Sequence, residues 1–520
     1  MPAAARYFIA PFLFLFWSFT AHPQDSINYN RPANGIATKA FPADTASKGH
    51  FLIINDIFIS GNKKTKNFIL IRELPFHKGD TVYLPDLVAA FQRSKELLIN
   101  TRLFNDVIVS LKGFHGYLAD IQIDVKERWY LFPVPYFRPI DRNLSAWAEK
   151  NYSLARVNYG IKLLHNNFTG RNDRLRMWLI TGYARQLQLN YDQPAADKSL
   201  KHGFGFGLLY SALKEINIST DNNLQTFVNT DNLTNTGKYL FKQSSLTLNY
   251  FYRPALTTRH LVKLGFTYIQ TDRVVGAINP KYLDHAVRKI FYPEFSYTLE
   301  YQKVDYIGYV LKGFMGDLAF NRRGIGGSMN LSQFTGKFTS GWPLGHQLYA
   351  GLQGYGAIKL PFDQPYYNER LFGYGDIYLR GLEKYVVDGV AGMMARTTLR
   401  RHLYSFNIDG GRLPTLQRIP FAIYAKIFGD MGYAYNKTFK QNSLVNQLLY
   451  TAGAGIDVVS AYDFIFRCEY SFNQLGQSGF FFHCSSCQTK NLYGHAHMTE
   501  PVEAISQRCV GVTRVSSRWL

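Results

Sequence analysis

The chain is poor in cysteine and in charge, and beyond its N-terminus it lacks long apolar runs. Its 520 residues include four cysteines, which all lie between Cys468 and the C-terminus, so no disulfide framework holds the main body. Charged residues make up only 18% of the chain. After Ala21 no apolar run reaches the roughly 18 residues that a membrane-spanning helix needs, which excludes a helical membrane protein.

The N-terminus carries the one apolar run. It extends from Tyr7 to Phe19, follows the single early charge of Arg6 and ends in small residues at Ala21. We therefore expect residues 1–21 to be a secretory signal peptide, because the run is short for a spanning helix. A retained N-terminal anchor is the alternative. The net charge of +21 could indicate binding of nucleic acid, but export argues against that interpretation. We expect instead that the basic residues face anionic lipid headgroups and a polar lumen.

Aromatic residues are abundant, with 40 Phe, 36 Tyr and 6 Trp. From about Trp129, stretches of about ten residues alternate apolar and polar side chains and are separated by turns. In the last clear example, Phe464 and Phe466 share one face while Arg467 lies on the other. The pattern predicts a transmembrane antiparallel β-barrel over residues 128–483, with about 16 strands by length. A large soluble β-sandwich is the alternative.

The chain ahead of the barrel has two parts. Residues 22–50 are polar and rich in turn-forming residues, which predicts a flexible leader. Residues 51–127 predict a small α+β domain. Its elements are expected in the order strand, helix, helix, strand, strand, at residues 51–60, 65–73, 84–100, 104–111 and 118–127.

The sequence of this small domain resembles that of a POTRA (polypeptide-transport-associated) domain over its whole length. The most specific parts are TRLFNDV at residues 101–107 and VKE at residues 125–127. The resemblance implies a strand edge and a groove that accept an extended client by β-augmentation. A generic α+β module is the alternative.

Two short motifs in the barrel region resemble those of the BamA/TamA-like outer-membrane assembly factors, the bacterial surface antigen barrels. Residues 379–382 read LRGL and resemble an Arg-Gly-aromatic motif on a loop that folds back into the lumen, although Leu382 stands where that family has an aromatic residue. Residues 428–432 read FGDMG and resemble a Phe-x-Asp-x-Gly strand motif. The resemblance implies a lumen latch of Arg380, Gly381, Phe428, Asp430 and Gly432.

The latch has a physical reason. An arginine in a lumen needs a carboxylate, because a desolvated charge without a partner is costly, and its planar guanidinium can bind one with two hydrogen bonds. We expect Arg380 to pair with Asp430, with Asp457 and Glu469 as second-choice acidic partners. The alternative is that Arg380 and Asp430 are unrelated surface residues. Residues 166–173 (NNFTGRND) also predict a tight turn between early strands, as in that family.

Motifs of catalysis are missing. The sequence contains no Gly-x-Ser-x-Gly, no His-Glu-x-x-His and no phosphate-binding loop, so we expect no enzyme, no cofactor and no metal site. Cys484-x-x-Cys487, with His483, His495 and His497 nearby, has spacing that zinc sites use, but we interpret it as structural because the segment is irregular. Residues 484–520 are interpreted as an atypical C-terminal tail, which leaves open how the barrel closes.

Over residues 51–483 the resemblance implies an assembly, insertion or translocation factor in the bacterial outer membrane, with one POTRA domain in the periplasm. Its expected partners are unfolded outer-membrane or secreted client proteins, outer-membrane lipid and accessory periplasmic proteins. One alternative is a two-partner-secretion-type exporter or passive pore. Others are a structural barrel that only docks partners and, less favoured, an outer-membrane barrel hydrolase.

Overall fold

The computed structural model describes residues 51–139, 151–233, 236–283, 287–327, 329–409, 418–437 and 442–486. The expected signal peptide and leader lie outside these residues. So does the tail from Cys487 onwards, including His495, His497 and Cys509.

The N-terminal domain is a four-stranded sheet with two helices. Apolar side chains from both helices and the sheet, among them Leu70, Leu98, Phe104 and Ile121, are fully buried in one core. In the sheet, of order β2-β1-β4-β3, only the β1–β4 pair is parallel. In chain order the elements are β1 (Phe51–Ser60), α1 (Asn67–Arg72), β2 (Thr81–Tyr83), α2 (Leu84–Asn100), β3 (Phe104–His115) and β4 (Leu118–Glu127).

The domain follows the sequence pattern with three differences. Strand β2 was not predicted, and α1 covers Asn67–Arg72 instead of residues 65–73. The helix α2 and the strand β4 have the predicted bounds, and Pro85 lies in the first turn of α2, where its missing N–H costs nothing. Strand β3 continues to His115, four residues past its predicted end, and shortens the turn that the Gly113–Gly116 segment predicted. A register shift between Leu111 and Gly113 absorbs one residue as a β-bulge, so pairing with β4 resumes instead of ending.

A second, 16-stranded sheet follows, in which every neighbouring pair is antiparallel. Two hairpins outside it interrupt the strand order: β10 (Glu215–Asp221) with β11 (Leu224–Asn229), and β18 (Arg370–Phe372) with β19 (Val387–Asp388). The sixteen strands are β5 (Leu131–Pro139), β6 (Val157–Asn166), β7 (Arg174–Gly182), β8 (Arg185–Gln193), β9 (His202–Leu213), β12 (Phe241–Tyr252), β13 (Thr258–Thr271), β14 (Lys289–Val304), β15 (Gly313–Gly326), β16 (Met329–Gly345), β17 (Leu348–Leu360), β20 (Ala391–Asp409), β21 (Arg418–Tyr435), β22 (Leu448–Ser460), β23 (Phe464–Asn473) and β24 (Ser478–Ser486).

The sheet curls so that its first strand lies beside the turn between β22 and β23. Its end strands are β5 and β24. The Phe132 ring on β5 lies 6.1 Å from the ring of Tyr462, in the turn between β22 and β23. Strand β24 reaches Ser486, three residues past the expected end of the barrel, because Phe464 at the start of β23 pairs with that residue.

The barrel wall has an apolar outer face and a polar inner face. On β14, Phe295 is exposed on the outside, whereas Glu294 and Ser296 are buried on the inside. The same alternation places Phe466 outside and Glu469 inside on β23. An outer apolar band over a polar interior is the pattern of a barrel in lipid.

Among the described residues, no helix has both the length and the apolar character needed to cross a membrane. One short helix beyond the N-terminal domain, α3 (Arg273–Ile278), begins with Asp272, whose side chain accepts a hydrogen bond from the Val274 amide.

Candidate functional site

The loop between β17 and β20, residues 361–390, folds back against the inside of the barrel wall. Leu371, Phe372, Leu379 and Leu382 of this loop are buried in one cluster with wall residues such as Ala434. Burial of these apolar side chains holds the loop in the lumen. Leu382 thus fills apolar space without the aromatic ring that the resemblance implies.

Arg380 lies on this loop and binds Asp430 of β21. Its Nε and Nη2 donate to the two carboxylate oxygens of Asp430 at 2.9 and 2.5 Å, and its backbone N–H donates to the same carboxylate at 2.9 Å. Both side chains are buried, at 9% and 0% exposure. Arg380 and Asp430, which we expected to pair, are therefore in bidentate contact.

Other wall residues complete the surroundings of the guanidinium. Nη1 donates to the Thr398 hydroxyl and Nη2 to the Thr397 carbonyl, both at 3.0 Å. The ring of Phe428 lies 4.0 Å from the guanidinium carbon, a cation–π distance. Phe428 and Asp430 are two residues apart on β21, so the strand period directs both into the lumen.

The two latch glycines meet different demands. Gly381 has φ +92°, in the left-handed region, and a Cβ there would lie 3.1 Å from the Ser471 side chain. At Gly432 a Cβ would lie 3.3 Å from a methyl group of Leu379. Both glycines therefore let the loop approach the wall closely.

The second-choice acidic residues, Asp457 and Glu469, contact Lys426 instead of Arg380. The Lys426 ammonium donates to Glu469 Oε1 at 2.5 Å and to Asp457 Oδ1, and all three side chains are buried. Sequence reasoning missed Lys426. The signal was present, because Lys426 stands two residues before Phe428 and so shares the lumen face of β21.

The N-terminal domain is fixed to the near end of the barrel by a buried ion pair. Arg253, in the turn after β12, donates from Nη1 and Nη2 to the two Glu73 oxygens at 2.5 and 2.7 Å. Burial alone raises the pKa of Glu73, but the charge and hydrogen bonds of Arg253 outweigh it and lower the pKa to about 2.

A second ion pair joins the domain to the turn between β22 and β23. Asp463 in this turn accepts from Arg128 Nη1 at 3.1 Å, and Arg102 Nε lies 3.5 Å away. Burial raises the pKa of Asp463, but the charges of Arg128 and Arg102 bring it below its usual value. Tyr306, from the turn after β14, also donates to Asp463.

The turn between β6 and β7, which the sequence predicted, packs on the domain. The Lys66 amide donates to the Gly170 carbonyl at 3.0 Å, and Asn167 donates to the Thr65 hydroxyl at 2.9 Å. Gly170 has φ +85°, and a Cβ there would lie 2.3 Å from the Lys64 carbonyl oxygen. Only glycine fits this contact without displacement.

The turn between β14 and β15, residues 305–312, reaches across the near end of the lumen. The Asn100 side chain of the domain donates to the Val304 carbonyl at 3.1 Å and accepts from the Ile307 amide at 3.0 Å. Inside the barrel, the Tyr309 hydroxyl donates to Asp457 at 2.8 Å. One turn thus contacts both the domain and the buried charges of the far wall.

Comparisons with known proteins give one family match and several similar structures. Residues 52–128 match the family model described as POTRA, surface antigen variable number repeat. The chain is similar to the structure of BamA from Haemophilus ducreyi lacking POTRA domains 1–3, with 16% identity, 84% of each chain covered and a TM-score of 0.46. It is also similar to CdiB from Acinetobacter baumannii (13% identity, 83% of this chain and 73% of that one, TM-score 0.42) and CdiB from Escherichia coli (10%, 86% and 93%, 0.43). No curated protein matches the chain.

Residues 52–128 are a POTRA domain. The predicted architecture, one POTRA domain ahead of a 16-stranded antiparallel barrel with an apolar outer face, is confirmed.

The POTRA domain leaves the edge strand β2 beside exposed apolar side chains. Tyr83, Leu84 and Val88, at the end of β2 and the start of α2, are all exposed. The Ile54 amide of β1 donates to the Asp80 carbonyl at 3.0 Å. Because antiparallel strands alternate their donors, the backbone N–H of Tyr83 then points away from β1 and toward the open edge. Its carbonyl belongs to the N-cap of α2.

Proposed function

We propose that this chain is a BamA/TamA-like outer-membrane protein that inserts or translocates protein clients, with its POTRA domain in the periplasm. One observation carries the proposal. A POTRA domain with a free edge is docked by buried ion pairs to one end of a barrel whose outer face is apolar. The domain that captures the client and the barrel that passes it into the membrane are therefore in direct contact within one chain.

The capture step uses the edge of β2. An extended client adds a strand there, and its apolar side chains cover Tyr83, Leu84 and Val88. Val88 is 75% exposed, so a charge at this position would block the groove and leave the POTRA core intact. Ile108, 54% exposed on the opposite edge strand β3, offers a matched control.

The membrane step uses the seam between β5 and β24. The Asn166 amide donates to the Tyr130 carbonyl at 2.9 Å, and the alternation of an antiparallel pair then directs even-numbered N–H groups of β5 toward β6. Odd-numbered positions face the seam. Three of them are prolines, Pro133, Pro135 and Pro139, which carry no N–H.

These prolines weaken the seam on the β5 side. Proline is tolerated in a strand only where its missing donor faces an open edge, and all three follow that rule. The seam edge of β5 offers carbonyl acceptors along its length but few donors. A strand edge of that kind separates at lower cost than a complete ladder, which is what lateral entry of a client requires.

Restoring the donors tests the seam. The double substitution Pro133→Val and Pro135→Val should stabilise the closed barrel and slow client insertion, measured as assembly of a labelled barrel protein into liposomes. Val134→Ile, whose N–H faces β6, should act like the unmodified chain. Equal insertion rates for all three proteins would contradict the seam mechanism.

Depletion of the chain in its own cell, followed by a census of outer-membrane proteins, tests the function itself. General loss of barrel proteins is the expected result, and Val88→Glu should reproduce it, whereas Ile108→Glu should not. Loss of a single secreted protein would favour the two-partner-secretion-type exporter. An unchanged census would leave only a structural barrel or a passive pore and would refute the proposal.

A further inference from the structure

Three potential metal ligands converge beside the latch. Glu383 follows the Arg380-Gly381 pair on the lumen loop, Glu469 lies on β23, and His483 lies on the last strand, β24. One ligand atom from each lies within 4.8 Å of the other two. The cluster therefore joins the loop to the two strands at one side of the seam.

In each of the three side chains, the potential ligand atom makes no hydrogen bond in the described structure. Among the described residues, no hydrogen-bond partner reaches Glu383 Oε1, Glu469 Oε2 or His483 Nε2, although all three atoms are buried. Glu469 as a whole is only 1% exposed. A buried carboxylate oxygen without a hydrogen-bond partner costs free energy. The approach of such an oxygen to two further ligand atoms therefore requires an explanation.

The second oxygens of both carboxylates are held in place. The Gly381 amide donates to Glu383 Oε2 at 2.8 Å, and Lys426 donates to Glu469 Oε1 at 2.5 Å. The Tyr378 ring stacks on His483 at 5.4 Å. Such outer contacts orient metal ligands and keep their free atoms directed at one point.

The distances suit a small divalent cation better than hydrogen bonds. His483 Nε2 lies 3.5 Å from Glu383 Oε1 and 3.7 Å from Glu469 Oε2, both too long for a good hydrogen bond. Tetrahedral ligands at about 2.0–2.2 Å from zinc are themselves roughly 3.4 Å apart. The side chains are 16%, 3% and 2% exposed for His483, Glu383 and Glu469, so a cation reaches the site past the imidazole.

We propose that Glu383, Glu469 and His483 form a divalent-cation site, with zinc as its best-matched ion, that fastens the lumen loop to β24. One histidine and two carboxylates leave a fourth position for water. The site shares only His483 with the Cys-x-x-Cys spacing. Cys484 is exposed on the outer face of β24, because successive residues of a strand face opposite sides.

The test uses the purified full chain in detergent, stripped with EDTA, dialysed against Zn²⁺ and assayed by mass spectrometry for zinc per chain. We expect about one zinc, and at least tenfold weaker binding for Glu383→Gln and His483→Gln. His402→Gln and the double Cys484→Ser, Cys487→Ser variant should bind as the unmodified chain does. Heat-modifiable migration on gels verifies that each variant is a folded barrel.

Cobalt loading of the unmodified chain gives a reading that needs no variant. Oxygen and nitrogen ligands should give visible d–d bands without thiolate-to-cobalt charge transfer in the near ultraviolet. A chain that retains no zinc overturns the proposal. So does zinc that is lost with the cysteine substitutions, a strong charge-transfer band, or zinc binding that Glu383→Gln and His483→Gln leave unchanged.

Discussion

The Glu73–Arg253 pair makes docking of the POTRA domain dependent on pH. Acidification and Glu73→Gln both remove the carboxylate charge that Arg253 binds at 2.5 and 2.7 Å. The folded pKa of Glu73 is about 2 against an ordinary 4.5. Because the folded value is depressed, the pair stabilises the docked state fully above about pH 4.5, and this contribution is lost as the pH falls toward 2.

The size of the effect follows from the same shift. At about 1.4 kcal/mol per pKa unit, the shift corresponds to about 3 kcal/mol of docking stability at neutral pH, or on the order of a 100-fold change in the undocked population. Glu73→Gln should lose a similar amount, because it leaves a buried guanidinium without its counter-charge.

Hydrogen exchange measures this population. The Lys66 amide donates across the interface to the Gly170 carbonyl, so it exchanges when the domain undocks. After correction for intrinsic exchange, Glu73→Gln should speed it by about 100-fold at neutral pH. Between pH 4.5 and 2 the unmodified chain should lose more protection than the variant, because Asp463 is protonated in both proteins but Glu73 only in the unmodified chain. Glu96→Gln, in a partly exposed pair with Arg93, should change little. Equal protection in the Glu73 variant and the unmodified chain would refute the assignment.

Two further predictions concern the latch and the docked turn. Asp430→Asn should destabilise the barrel by about 3–5 kcal/mol in urea unfolding, because Arg380 keeps its burial but loses its carboxylate; an unchanged midpoint would contradict the latch. Gly170→Ala should weaken docking by about 1–2 kcal/mol or more, from its φ of +85° and the close Lys64 carbonyl, and should speed interface exchange while barrel unfolding stays as it is.

Local patterns in the sequence were sufficient to predict much of this fold. The amphipathic repeat of Leu84–Asn100 and the alternation of Leu118–Glu127 are local signals, and the structure keeps their bounds. The length of residues 128–483 predicted about 16 strands, and the sheet has 16. The bulge near Gly113 was not predictable, because it depends on pairing with β4.

The candidate site likewise contains one contact that the sequence predicted and others that it did not. Motif resemblance brought Arg380 and Asp430 together although 50 residues separate them. Lys426 has no motif, and its role depends on which carboxylates face it across β22 and β23. The Glu73–Arg253 contact spans 180 residues between two domains, and nothing in either local sequence marks it.

A continuous set of contacts leads from the POTRA domain to the surroundings of the latch. Asn100 binds the 305–312 turn, Tyr309 of that turn binds Asp457, and Lys426 joins Asp457 to Glu469. Contact alone is not energetic coupling, which requires that both ends change together.

A double-mutant cycle between Tyr309→Phe and Asp430→Asn measures that coupling. The two substituted side chains have no hydrogen bond to each other in the described structure, so independent effects would add within about 0.5 kcal/mol. If the turn and the latch move as one unit, the stability lost by the double variant should be smaller than the sum of the two single losses. The difference should exceed about 0.5 kcal/mol. Additive losses would mean that these contacts do not couple the POTRA domain to the lumen loop.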